Sequence, residues 1–406
     1  MKHVRFAILG AGPSGLAFAH GLLRRGEDSF VVLEAEEEAG GLCRSAQVDG
    51  AACDIGGGHF LDVRDPAVLD LLFSFMPQSE WARHERRSTI RYKGVEMDYP
   101  FEANLWQLPL EEQVAFLVSI AEAGCTTGAP RPTGFEDWIV WKLGRRIADE
   151  YMLPYNRKLW GEDLSRLGTY WLEKLPDVSL RDSIESCLAR RPVGKVPAHA
   201  AFYYPRAAGY GEVWLRMAEA LGDRLQTATP VRAVEAGTLT VNGQWRAERI
   251  VTTIPWPLWR EFPGVPDAVA GDMAALRHVG VRVTPVAERP QTRAHWVYVP
   301  DENVAHHREL WRQNFLPGSR GGWTETALHR APQGEGFAHE YAYPLNTVRK
   351  PERMRRILGW AEGMGITGLG RWGEWEHVNS DVAVARALAM ADRMTARDCG
   401  GERACG

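Results

Sequence analysis

Apolar residues fill Val4 to Leu9, the run breaks at GAGPSG, and from Leu16 to Leu23 apolar positions return at helical spacing. A second apolar run, Phe30 to Leu33, ends on Glu34. The pattern predicts strand, tight turn, helix and strand. Downstream, Tyr92 to Leu110 is strand-like and then bounded by prolines, whereas Glu111 to Ala123 and Phe135 to Tyr151 are helical by periodicity, with the breaker-rich CTTGAPRPTG between them. The stretch PVRAVEAGTLTVNGQWRAERIVTTIPW predicts a strand through Val231, a hairpin, and a strand running to Thr253 and Pro255. Near the C-terminus, GRWGEWEHVNSDVAVARALAMAD predicts a turn and then a helix.

At 406 residues the chain is too long for one simple core, so two or three subdomains are expected. No apolar run approaches the roughly 18 residues of a membrane span, and the N-terminus enters a strand without a signal-peptide pattern. A cytoplasmic protein without membrane partners is expected. The net charge of -4 gives no reason to expect nucleic acid, and the acidic run Glu34 to Glu38 is too short for an interaction tail. Cys43, Cys53, Cys125, Cys187, Cys399 and Cys405 form no CxxC pair and no Cys/His spacing, so they read as thiols, with no metal site and no disulfide frame. Sixteen tryptophans suit a protein that stacks flat rings.

The first turn carries the clearest chemistry. Gly10 permits the tight turn, Gly12 lets a pyrophosphate approach the backbone beside Pro13 and Ser14, Gly15 lets helix pack on strand, and Glu34, followed by Ala35, is placed to bond ribose hydroxyls. GxGxxG alone is weak evidence, but with its flanking strand, helix and acidic residue it predicts a dinucleotide site. GGLCRS at residues 40–45 resembles the second glycine motif of flavoproteins of the amine-oxidase and protoporphyrinogen-oxidase type. That resemblance implies FAD, with Gly41, Leu42, Cys43 and Arg44 along the diphosphate and ribityl chain, Val231 on the adenine, and Gly57, Gly58 and His59 beside the ring. Gly370, Arg371, Asn379 and Ser380 precede or begin a helix whose N-terminus can face the flavin pyrimidine or the phosphates.

The middle of the chain is similar to another group. YMLPYNRKLWGEDLSRLGTYWL resembles the PYNxKxW segment of flavin-dependent UDP-galactopyranose mutases, the eukaryotic type more than the short bacterial type. GGHF at 57–60, YPFE at 99–102, PRAAGYGEVW at 205–214 and HWVYVPDENVAHHRELWRQNF at 295–315 resemble further motifs of that family, and the similarity covers nearly the whole chain. It implies an α/β fold: a discontinuous Rossmann-like FAD domain (1–85, 195–260 and 355–406), an inserted helical substrate or lid domain (102–194) and an antiparallel sheet domain (86–101 and 261–354). It also implies a reaction in which reduced flavin N5 attacks the anomeric carbon of a nucleoside-diphosphate hexose, and the sugar ring opens and recloses without net electron transfer.

By the same resemblance, Gly58 and His59 sit on a loop beside the flavin, Arg308 and Tyr343 hold the substrate diphosphate, Asn156 and Trp160 face the sugar, and Tyr99, Phe101, Trp296 and Tyr298 lie toward the nucleotide. The chain also departs from the family. A second diphosphate arginine falls on Leu175 in WLEKL, with Lys174 the nearest cation, and two tyrosine donors become Phe315 and His377. Either Lys174, Arg312 and His377 replace them or the substrate lies differently, whereas Trp171 reads as core packing. Glu102 stands where the family has glutamine. A carboxylate only accepts hydrogen bonds, and guanine presents two adjacent N–H donors, so a GDP-linked sugar is favoured, with UDP-galactose the alternative. An oxidase of amines or porphyrinogens and a non-catalytic nucleotide-sugar-binding flavoprotein share the fold and remain open. With no second strong GxGxxG, either NAD(P)H binds transiently in the substrate cleft or an external reductase supplies electrons.

Overall fold

The computed structural model describes residues 1–62, 64–161, 163–172, 178–193, 200–331 and 333–399. Its first sheet places Leu225–Gln226, Phe30–Leu33, Lys2–Leu9 and Trp245–Thr252 side by side and parallel, with Ile366–Gly368 parallel to the last of these. Short antiparallel strands, Thr240–Val241 and Val234–Glu235, extend one edge. Phe6 and Ile8 join one hydrophobic cluster and Ala7 and Leu9 another, as alternate residues of a strand covered on both faces must. Helices Pro13–Arg24 and Ser380–Cys399 cover one face and cross closely, because a Cβ on Gly21 would lie 2.7 Å from that of Ala391. The strands of this sheet come from well-separated stretches of chain. The fold is α/β, with a discontinuous Rossmann-like domain.

A second sheet runs in the order Phe337–Pro344, His278–Val286, Gly322–Ala327, Arg308–Leu310, Trp296–Tyr298, Ser88–Tyr92 and Val95–Asp98. It is antiparallel except where Trp296–Tyr298 meets Ser88–Tyr92. Helices Leu110–Ala121, Phe135–Ile147, Leu153–Trp160 and Leu180–Ala189 gather near it around a separate core that includes Tyr92, Phe101, Phe116, Trp138 and Val279. A small third sheet pairs Ala201–Pro205 with Leu61–Asp62 and Trp81–Glu85.

Two local expectations are corrected. The segment at Val231 is not a strand, since the Asn242 side chain accepts from the backbone N–H groups of Arg232 and Ala233, which a ladder would otherwise use. The helix expected over Phe135–Tyr151 bends at Gly144, passes through a π-helical turn at Ala148–Met152 and continues as Leu153–Trp160, so the PYNRKLW residues are helical. Gly144 sits where a Cβ would lie 2.2 Å from the Ser119 carbonyl oxygen.

Candidate functional site

The first cavity, about 500 Å³, follows the C-terminal ends of the parallel strands. Gly10, Gly12, Pro13, Ser14, Glu34, Ala35, Gly41, Leu42, Cys43, Arg44, His59, Val231, Arg371, Asn379 and Ser380 all line it. Gly10 has φ +99°, and a Cβ there would stand 2.3 Å from Thr253 Oγ1, so both backbone and space demand glycine. Glu34 is buried and held by backbone: Ala11 N–H donates to Oε2 at 2.7 Å and Glu36 N–H to Oε1 at 3.1 Å. Arg44 bonds the Gly41 carbonyl at 3.1 Å and pairs with Glu36 at 3.2 Å. Gly15, Gly57, Gly58 and Gly370 do not line the wall. Gly15 packs on the Gly10 carbonyl and Gly370 on Ser14, while Gly57 and Gly58 turn toward the second sheet.

Helix N-termini at Pro13 and Ser380 both open on this cavity. Their dipoles favour an anion, and the Gly12–Gly41 approach, where a Cβ on Gly41 would be 3.3 Å from Gly12 Cα, leaves backbone rather than side chain facing it. The carboxylate of Glu34, two helix starts, His59 and Arg371 in one cavity fit a dinucleotide such as FAD. His59 donates from Nδ1 to the Gly57 carbonyl at 2.9 Å, which leaves Nε2 as an acceptor. Burial, reinforced by the nearby Arg371 charge, lowers its pKa to about 3, so the ring is neutral. Arg371 is tied to the carbonyls of Ala342 at 3.0 Å and Val378 at 2.9 Å and stands 5.8 Å over the Tyr343 ring.

Tyr343 belongs to the second cavity, about 470 Å³, between the helical layer and the second sheet. Tyr99, Glu102, Asn156, Trp160, Tyr298, Arg308, Tyr343 and His377 line it, together with Tyr155, His307 and Lys350. The Trp160 indole donates to Asn156 Oδ1 at 2.8 Å, one helical turn away, and Asn156 Nδ2 donates to the Met152 carbonyl at 2.8 Å. Arg308 donates to Glu325 through Nε at 2.9 Å and again through Nη2, which also reaches Tyr343 Oη at 3.2 Å. Glu102 is buried, and desolvation raises its carboxyl pKa to about 7.

Other expected residues lie elsewhere. Phe101 is wholly buried against Phe116 and Tyr151, and Phe315 against Tyr204 and Phe60, because neither ring has a polar group to bring to a cavity. Trp296 packs on Phe60 and donates to Tyr298 Oη at 3.1 Å, which places it behind Tyr298. Arg312 is not available to a substrate: it is buried, with Nε on the Arg320 carbonyl and Nη1 on those of Val48, Ala51 and Ala52. Trp171, expected in the core, packs partly buried against it beside Phe135 and Trp160, and it also lines the second cavity and donates to the Gly168 carbonyl at 2.8 Å. Lys174, Leu175 and Cys405 lie outside the described residues. Cys43, Cys53, Cys125 and Cys187 are free thiols.

Lys158 and Glu325 are among the buried charges that were not anticipated. Lys158, inside PYNRKLW, donates to the carbonyls of Val299 and Asp301, both at 2.7 Å, and burial lowers its pKa to about 8. Glu325 is fully buried on Gly322–Ala327, directly opposite Arg308. The sequence held a signal for it, since Trp323, Glu325 and Ala327 alternate on one face of a strand and a carboxylate at an inward position calls for a partner.

A family model described as an NAD(P)-binding Rossmann-like domain matches residues 8–75. A Baeyer-Villiger monooxygenase of Streptomyces coelicolor is 40% identical over 82 residues, 20% of this chain, and one of Pseudomonas aeruginosa is 34% identical over the same length. The chain spans 14% of the length of each of these relatives. An uncharacterized protein in the nifH2 3' region of Methanothermococcus thermolithotrophicus is 43% identical over 72 residues, 18% of this chain and 69% of that protein. Among solved structures, a reduced UDP-galactopyranose mutase superposes with TM-score 0.87 at 21% identity, covering 97% of this chain and 94% of its own. The chain has a flavoprotein fold. Cyclohexylamine oxidase from Brevibacterium oxydans (TM-score 0.65, 16% identity) and putrescine oxidase bound to putrescine (TM-score 0.62, 17% identity) share it, each covering 97% of this chain and 99% of its own. The lining of the first cavity fits a dinucleotide cofactor such as FAD. Among the described residues no helix is long and apolar enough to cross a membrane.

Proposed function

We propose that this flavoprotein is a mutase that interconverts the pyranose and furanose forms of a nucleoside-diphosphate hexose, with the substrate in the second cavity. Reduced flavin, when bound, supplies a nucleophilic ring nitrogen that can displace a diphosphate from an anomeric carbon. The residues of the chain do the rest. Arg308, with Tyr343 Oη beside it, offers charge-assisted donors to a diphosphate as negative charge grows on the leaving oxygen. The joined Asn156 and Trp160 side chains present a fixed edge to the sugar, and Tyr99, Glu102 and Tyr298 form the far wall where a base would lie. Neutral His59 places an acceptor nitrogen beside the ring site and adds no charge there.

The observation that carries this reading is the half-buried Arg308 in the cavity wall. A guanidinium attracts a diphosphate and repels the ammonium group of an amine substrate, which argues against an amine oxidase. Glu102 extends the reading to a GDP-linked sugar, because an ionised carboxylate accepts from the two adjacent N–H groups of guanine. An oxidase acting on a neutral ring compound is the second reading, favoured by the aromatic wall of Phe135, Trp138, Trp160 and Trp171. Incubation of reduced enzyme with GDP- and UDP-hexoses, followed by separation of furanose from pyranose products, tests the first. Oxygen consumption without sugar isomerisation would establish the second.

A further inference from the structure

Glu325 touches both halves of the site. Its Oε2 accepts from Arg308, and its Oε1 accepts from the Gly58 backbone N–H at 2.7 Å. That N–H belongs to the peptide group joining Gly57 to Gly58, whose carbonyl accepts from His59 Nδ1 at 2.9 Å. One peptide plane is therefore clamped at both poles, by Glu325 from the second sheet and by His59 at the wall of the flavin cavity. The space is built for it. Gly57 has φ +104°, a Cβ on it would stand 3.3 Å from Glu325 Oε1, and a Cβ on Gly58 would lie 2.1 Å from Leu310 Cδ2.

We propose that Glu325 is a positioning residue that couples anion binding at Arg308 to the orientation of the Gly57–Gly58 peptide, and so to the redox state of the flavin beside it. The proposal rests on the mutase reading above. A diphosphate at Arg308 competes with Glu325 for the same guanidinium protons. As the guanidinium turns to the diphosphate, Oε2 loses donors and the carboxylate draws harder on Gly58 N–H. The His307 ring, buried with neither nitrogen hydrogen-bonded, stands with Nε2 3.8 Å from Oε2 and is placed to take over the vacated position. The coupling is reciprocal, so a change in the flavin that alters its contact with His59, which holds the peptide carbonyl, changes the hold of Arg308 on its anion.

The test uses flavin-loaded protein and the probes UDP and GDP, titrated calorimetrically into oxidised and dithionite-reduced samples while the visible flavin spectrum is recorded. In wild type, the affinity of the better-bound nucleotide should differ between the redox states by roughly fivefold or more, and nucleotide should perturb the spectrum. Glu325→Gln should still bind nucleotide but show nearly equal affinities in the two states and a diminished spectral change. Glu325→Asp keeps the charge for Arg308 but is too short to hold Gly58 as well, so it should give the same loss with the ion pair retained, and it decides the matter if Glu325→Gln does not fold. Equal affinities in wild type, or a wild-type ratio preserved in the folded Glu325 variants, would overturn the coupling while leaving the mutase reading intact. No binding of either nucleotide to wild type would remove the mutase reading, and the proposal with it.

Discussion

Tyr343 Oη accepts from Arg308 Nη2 at 3.2 Å, a bond between two strands of the second sheet that are not neighbours. The tyrosine fixes the guanidinium from one side and Glu325 from the other, so Arg308 reaches the cavity already oriented. Arg308→Lys keeps a cation near Glu325 but loses the fork, and should lower kcat/KM by about 2–4 kcal/mol in transition-state terms. Steady-state kinetics with the preferred nucleotide sugar measures it. Arg308→Ala also leaves the buried carboxylate unpaired, so it should cost about 3–5 kcal/mol of folding stability as well, visible in denaturant unfolding. An unchanged kcat/KM in the lysine variant would remove Arg308 from the mechanism.

Turnover should depend on redox state. With flavin reduced by dithionite or NAD(P)H, furanose and pyranose forms should interconvert without stoichiometric oxidation, and with flavin oxidised the conversion should stop. Chromatography of the sugar products under anaerobic conditions reads the result. Equal rates in both states would exclude this chemistry.

Glu102 should give the protein a pH dependence of recognisable sign. Burial raises its carboxyl pKa from the ordinary 4.5 to about 7, so between those values the folded chain keeps a proton that the unfolded chain has lost. Stability therefore falls as pH rises through that window. Glu102→Gln should reduce the slope without abolishing it, since burial also raises Asp54 to about 7. Chemical denaturation across the window measures the slopes.

The same proton should govern nucleotide choice. The ionised carboxylate suits the paired N–H groups of guanine, so GDP affinity should rise with pH through about 7. The protonated acid offers one donor and one acceptor and matches the imide edge of uracil, so UDP affinity should fall over the same range. A charged bidentate contact is worth about 1–3 kcal/mol of discrimination, and Glu102→Gln should flatten both pH profiles. Parallel GDP and UDP profiles, unaffected by the substitution, would place Glu102 away from the base.

Gly10→Ala should cost flavin loading more than it costs the rest of the fold. Its φ of +99° and the 2.3 Å approach of Thr253 Oγ1 force the turn apart at the place where the diphosphate would lie. The absorbance ratio of flavin to protein after purification is the readout, with a fall of severalfold expected.

The sequence by itself determined the elements whose reasons are local. The glycine turn, its helix and the carboxylate at Glu34 are set by spacing over a few dozen residues, and Gly10, Gly12, Glu34 and Arg44 line one cavity. The pairing of Asn156 with Trp160 was legible for the same reason, because four residues make one turn of helix. What only the tertiary structure decided is which distant groups share a buried charge. Arg312 and Arg308 lie four residues apart and look equally available as letters, yet one is spent on the carbonyls of Val48, Ala51 and Ala52 and the other faces a cavity. Phe315 and Trp296, motif residues both, are packed into the core for the same kind of reason. Glu325 is the sharpest case. Its partners Arg308 and Gly58 stand 17 and 267 residues away in the chain. A desolvated carboxylate must find donors wherever the fold supplies them, and strand register and sheet order, rather than sequence spacing, fix where those donors are.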